Sequence, residues 1–242
     1  MIVPFEKSLR VAGLQKSSTL DFPGRLSAVL FFAGCNYDCY YCHNRRILNA
    51  PSLMSMESVF SFLHKRRGLL DGVVLSGGEA TLQGGLYSFA LGLKEIGYTV
   101  KLDTNGSRPD ALRAMLSDGA VDFVAVDYKA PLYMYDTVCG AGAMGGAGLR
   151  ETFDLLRNSG VAYEVRVTMI PHITAKKLTE MAESLPRLNS FVLQLYRPVE
   201  PDGTLRLVDA NTQDAGVPYT PGELHEMAAV VRYAQPNVSV RV

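Results

Sequence analysis

LSAVLFFAGCNYDCYYCHN, residues Leu26 to Asn44, joins an apolar, β-rich run (Leu26 to Phe32) directly to a loop that carries three cysteines. A short unbroken apolar run bounded by glycine reads as a strand buried on both faces. The same pattern recurs at Val73 to Leu75, Tyr98 to Leu102, Phe123 to Val126, Glu164 to Met169 and Phe191 to Leu195. Between these runs, apolar residues at three- and four-residue spacing predict helices over Met56 to Arg67, Leu86 to Ile96, Pro109 to Leu116, Leu149 to Asn158 and Ala175 to Leu185. Thr220 before Pro221, with Glu223 three residues on, predicts a capping box opening a last helix through Tyr233, and Val238 to Val242 reads as a final strand.

Buried strands alternating with helices imply a parallel sheet, because each crossover carries a helix back over the sheet. Six such units predict an α/β chain folded as a partial, open (β/α)6 barrel, a single domain over residues 1–242. Residues 1–24 read as an irregular N-terminal cap, and about 196–242 as a C-terminal extension. In such folds the chemistry collects at the C-terminal strand ends. Polar residues stand there repeatedly: Ser76-Gly77-Gly78-Glu79, Asp103-Thr104-Asn105-Gly106 and Asp127-Tyr128-Lys129. Glycines at a strand end let a ligand approach the backbone, although an ordinary turn would use them too. Arg166 falls inside an apolar strand, where it either reaches solvent or faces an anion.

Cys35, Cys39 and Cys42 form CxxxCxxC on one short loop, and thiols so clustered point to a metal rather than to disulfides. Three thiolates hold three irons of a cubane and leave the fourth iron free to bind a reactant. The competing reading is a zinc site with His43 as fourth ligand, but Cys42 and His43 are adjacent, whereas structural zinc ligands come in separated pairs. Cys139 stands apart and reads as a small buried or loop residue.

Gly140-Ala-Gly-Ala-Met-Gly145 matches GxGxxG, with Glu164 about 20 residues on, as a dinucleotide site would have. Pro131 and a Tyr-rich loop precede it where a strand should run, so a flexible loop or lid is the better reading. Twenty-four basic residues balance 24 acidic ones, and the Lys65 to Arg67 run is too short for a sequence-independent grip on nucleic acid. The longest apolar stretch, Ala28 to Ala33, is far too short to span a bilayer, and the expectation is a cytoplasmic protein without membrane attachment.

Asp21-Phe22-Pro23-Gly24-Arg25, the loop Gly34 to Asn44, and Ser76-Gly77-Gly78-Glu79-Ala80 together resemble the radical S-adenosylmethionine (SAM) superfamily. Most of the chain shares the resemblance, which is strongest to activating enzymes of glycyl radical enzymes. Among these it is most similar to anaerobic ribonucleoside-triphosphate reductase activating proteins, with pyruvate formate-lyase activating enzymes close behind. The resemblance implies one [4Fe-4S] cluster on Cys35, Cys39 and Cys42, with Tyr41 and His43 against the adenine of SAM. It implies that Gly77, Gly78 and Glu79 meet the methionine amino group. Asp103, Thr104, Asp127, Lys129 and, as a weaker match, Arg166 match positions around the methionyl and ribose parts of SAM. Asp21, Pro23, Gly24 and Arg25 would face the protein substrate, a glycyl radical enzyme, and a flavodoxin or ferredoxin would donate the electron. Tyr196-Arg197-Pro198 replaces a ribose-contacting histidine of the pyruvate formate-lyase activators, and the extra cysteines of activators with further clusters are missing.

Overall fold

The computed structural model describes residues 9–198 and 216–242. In chain order the elements are β1 (Val11–Ser18), β2 (Ser27–Phe32), α1 (Arg45–Leu48), α2 (Met56–Arg66), β3 (Gly72–Gly77), α3 (Leu86–Glu95), β4 (Thr99–Thr104) and α4 (Pro109–Ser117). There follow β5 (Phe123–Asp127), α5 (Tyr135–Cys139), α6 (Leu149–Ser159), β6 (Ala162–Met169), α7 (Ala175–Glu183), β7 (Phe191–Leu195), α8 (Pro221–Val231) and β8 (Val238–Arg241). The strands lie in sheet order β1 to β8, ending on a different strand at each edge, so the sheet is not closed. Pairing is parallel for β2–β3, β3–β4, β6–β7 and β7–β8, as the apolar runs predict.

The N-terminal stretch corrects one expectation. Residues 1–8 of the expected irregular cap lie outside the described residues, but Val11–Ser18 is a strand, antiparallel to β2. Its burial falls away through Gln15, Lys16 and Ser17, which is why no strand pattern shows in the sequence. Residues 199–215 of the expected C-terminal extension also lie outside the described residues.

Two compact units make up the chain: Met1–Asn36, Arg46–Ala125 and Gly148–Ala162 form one, and Tyr37–Arg45, Val126–Ala147 and Tyr163–Val242 the other. In the first, alternation along the strands sorts side chains to two faces. Leu30, Phe32, Val73, Leu75, Val100 and Leu102 are without solvent exposure, as are Val59 and Leu63 of α2 and Ala90 of α3. Each large side chain so buried contributes about 1.5–3 kcal/mol. On the other face the parallel register sets Val29 beside Val74 and Val74 beside Lys101, and Phe22, Val29 and Val74 cluster with Phe31 and Phe123.

In the second unit, Leu178, Met181 and Ala182 of α7 and Leu224 and Val231 of α8 are buried. Buried Gln235 ties the connections: its amide donates to Ala182 O (2.9 Å) and Pro186 O (3.0 Å), and its Oε1 accepts from Leu188 N (3.0 Å). The predicted capping box at Thr220 and Glu223 is present. The GxGxxG stretch follows helix α5 rather than a strand and folds into a 3-10 turn over Ala141–Gly146, so the context of a dinucleotide motif is missing.

Candidate functional site

Strand ends in the first unit bring Gly77, Gly78, Glu79, Thr104 and Asn105 together. Gly78 N donates to Phe32 O and Glu79 N to Gly34 O, both at 2.9 Å. A Cβ on Gly78 would lie 1.9 Å from Gly34 O, and one on Gly77, at φ +117°, would lie 2.3 Å from Phe32 N. The glycines are therefore required by backbone packed against them, a reason the sequence alone does not distinguish from room for a ligand. Glu79 has no solvent exposure. Its Oε1 accepts from Thr81 N (3.1 Å), Thr81 Oγ1 (2.5 Å) and Thr104 Oγ1 (2.8 Å), and its Oε2 from Asn105 N (2.7 Å). Burial pushes the carboxyl upward, and these donors pull against it. Glu79 thus braces two strand ends.

Asn105 extends the brace to the cysteine loop: its Nδ2 donates to Asn36 Oδ1 at 2.9 Å and lies 4.0 Å from Cys35 Sγ. Asp103, on the same strand, accepts from Ser76 Oγ (3.0 Å) and from Lys101 Nζ (2.7 Å). Pro23, Gly24 and Arg25 are exposed, and Asp21 is half-buried, accepting from Ser18 Oγ at 2.5 Å.

The second unit holds Cys39 and Cys42 with Tyr41, His43, Asp127, Lys129 and Arg166. Cys39 is drawn down to about 7, first by a hydrogen bond with Cys139, against its burial, and then by the Lys129 charge. Such a thiol is substantially ionised at neutral pH, the form that binds iron. Burial pushes the Cys42 thiol up. Cys139 is buried at the end of α5, as expected, and its carbonyl accepts from Asp38 N at 2.8 Å.

Arg166 faces an anion rather than solvent: its Nε donates to Asp127 Oδ1 at 2.9 Å, and Lys129 Nζ stands 3.5 Å from Oδ2. Although burial opposes the charge, the two cations hold Asp127 below the usual carboxylate range. Tyr41 is buried, in edge contact with Tyr40 (5.4 Å) and Tyr196 (6.2 Å). His43 stacks on Tyr196 at 6.3 Å and donates from Nε2 to Arg197 O at 2.7 Å.

Beside His43 a cavity of about 220 Å³ is lined by Thr168, Gln194, Leu195, Arg197 and Arg241. Nothing in the sequence singles out Thr168, Gln194 and Arg241, although each stands among the last two residues of its strand. Lys101 was missed too, because a lysine inside an apolar run carries no signal until its partners are known. Among the described residues, no three His, Cys, Asp or Glu side chains gather as ligands of a single ion. A cubane takes one thiolate per iron, so its ligands need not meet at one point.

An open, largely parallel α/β sheet with thiols and polar groups at its strand ends is the framework of a radical SAM protein. The chain belongs to the radical SAM superfamily, whose pattern matches residues 29–185; the family uses a [4Fe-4S] cluster and SAM. A protein of Methanocaldococcus jannaschii, provisionally named as the glycyl-radical enzyme activating enzyme MJ1227, is 28% identical over 96% of this chain and 95% of its own. A pyruvate formate-lyase-activating enzyme of Clostridium pasteurianum is 31% identical over 69% of this chain and 71% of its own. A 7-carboxy-7-deazaguanine synthase of Methanopyrus kandleri is 35% identical over 46% of this chain and about half (52%) of its own. Among solved structures, native anSMEcpe with bound AdoMet superposes with a TM-score of 0.61 over 86% of this chain and 62% of that one, at 16% identity, a likeness of fold.

Proposed function

We propose that this chain is an activating enzyme that cleaves SAM reductively and generates a glycyl radical on a partner enzyme. The observation that carries the reading is the near end-to-end similarity to MJ1227. When bound and reduced, the cluster supplies one electron to SAM, giving methionine and a 5′-deoxyadenosyl radical able to take hydrogen from a glycine Cα. Cys35, Cys39 and Cys42 hold that cluster in this reading, and the chain's remaining work is to bind, orient and shield. Gly77, Gly78 and Glu79 receive the methionine amino group, largely through backbone that Glu79 keeps rigid. Asp103, Thr104, Asp127 and Lys129 serve the methionyl and ribose parts, with Arg166 holding Asp127 in place, while Tyr41 and His43 serve the adenine side. Asp21, Pro23, Gly24 and Arg25 face the protein substrate, and a flavodoxin or ferredoxin supplies the electron.

The proposed partner is anaerobic ribonucleoside-triphosphate reductase, supported by Tyr196-Arg197-Pro198, which departs from the pyruvate formate-lyase activators. The test is anaerobic loading with iron and sulfide, then dithionite and SAM, with deoxyadenosine and methionine measured. A well-formed cluster that cleaves no SAM refutes the reading. Incubation with the reductase should give a glycyl radical doublet in electron paramagnetic resonance; a doublet only on another glycyl radical enzyme reassigns the partner. The similarity to the deazaguanine synthase favours a second reading, a small-molecule enzyme, which requires product formation with no protein partner present.

A further inference from the structure

Lys101 is a charged side chain in an otherwise apolar row. It is without solvent exposure, beside Val74 in register, with its ammonium 5.8 Å from the Phe123 ring centroid. Burying an ammonium is costly unless it is paired and hydrogen-bonded. Lys101 Nζ finds two acceptors: Asp103 Oδ1 at 2.7 Å and the backbone carbonyl of Asp21 at 2.6 Å. One belongs to a strand end that the proposed function assigns to SAM. The other belongs to the loop assigned to the protein substrate.

That loop is tied mainly to itself and to its base. Ser18 Oγ donates to Asp21 Oδ2 (2.5 Å) and accepts from Leu20 N (3.1 Å) and Asp21 N (3.2 Å), Arg25 N donates to Phe22 O (3.1 Å), and Phe22 is buried against Phe123 at 6.0 Å. Leu20, at 78% exposure, and Pro23, Gly24 and Arg25 present the outer side. A displacement of this loop carries the Asp21 carbonyl with it. The ammonium, which has no solvent exposure, then leans on Asp103, the acceptor it keeps. Conversely, a ligand that draws on Asp103 changes what the ammonium offers the loop.

We propose that Lys101 is a positioning residue that couples the Ser18–Arg25 loop to Asp103, so that SAM binding and the conformation of the partner-facing loop change together. The inference rests on the assignment of Asp103 to SAM and of the loop to the partner. Coupling of this kind is reciprocal: if SAM orders the loop, an ordered loop tightens SAM binding by the same factor.

Hydrogen exchange of the cluster-loaded enzyme, with and without SAM, tests it. In the wild type, SAM should slow exchange both around Gly77 to Ala80 and in peptides covering Leu20 to Leu26, the latter by about fivefold or more. Lys101→Met should keep the response at Gly77 to Ala80 and lose it at Leu20 to Leu26, and Lys101→Arg should restore part of it. Should the methionine variant misfold, Lys101→Gln, which leaves a buried donor for Asp103, takes its place. A loop that responds equally without the ammonium, or does not respond in the wild type while the strand ends do, overturns the coupling alone. No response to SAM anywhere overturns the proposed function and the coupling with it.

Discussion

Replacing Asp127 by asparagine isolates the charge arrangement in the second unit. The carboxylate stands between Arg166 and Lys129, at 2.9 and 3.5 Å, with side-chain exposures of 33%, 11% and 15% for Asp127, Arg166 and Lys129. At an effective dielectric near 20, opposite charges about 4 Å apart attract by about 4 kcal/mol. Two such attractions are offset by the cost of removing three charges from water, and exposure of a third of Asp127 screens them further. The difference should be about 2 kcal/mol, since the variant also leaves two cations facing each other. For a chain of this size that is a fall in Tm of about 4–8 °C at pH 7. Because the folded-state pKa of Asp127 is depressed below 3.8, its stabilisation is complete above 3.8 and is lost as pH falls through the lowered value. The gap between wild type and Asp127→Asn, followed by thermal unfolding without SAM, should therefore close in acid. Equal Tm values at pH 7, or a gap unchanged at pH 3, would refute the argument.

Cys35→Ala, Cys39→Ala and Cys42→Ala should each abolish SAM cleavage, whereas Cys139→Ala, which removes a hydrogen bond to Cys39 but no ligand, should retain iron and sulfide content; loss of the cluster there contradicts the three-ligand assignment. Gly78→Ala should yield little soluble protein, since its Cβ meets a carbonyl oxygen at 1.9 Å, while Gly92→Ala, in α3 with nothing within 4 Å, should raise stability by about 0.5–1 kcal/mol in urea unfolding. Arg241→Ala should destabilise the chain by about 1 kcal/mol, because Glu164, 2% exposed, loses a half-exposed cation at 3.3 Å and keeps Arg166 Nη1 at 4.0 Å; Glu164→Gln in the same chain should recover part of the loss.

Periodicity determined strands β2 to β7 and helices α2, α3, α4, α6 and α7, because buried parallel strands and amphipathic helices write their faces into local spacing; β1 and the short helices α1 and α5 left no such signal. The three clustered cysteines and the polar strand ends were legible for the same reason: each is a local departure from an apolar run. The pairing of β1 with β2 was not, since a half-exposed edge strand such as Val11–Ser18 carries polar residues that hide the alternation. Nor could local sequence say that Gly78 is a glycine because the Gly34 carbonyl occupies its Cβ position, or that Glu79 spends its carboxylate on Thr81, Thr104 and Asn105. Lys101 makes the difference plain. In the sequence it is one lysine in Tyr98 to Leu102; in the fold it is a buried charge whose two acceptors are 80 and 2 residues away along the chain. Partners so unequally separated are brought together only by packing of the strands, and packing decides which polar residues become a site.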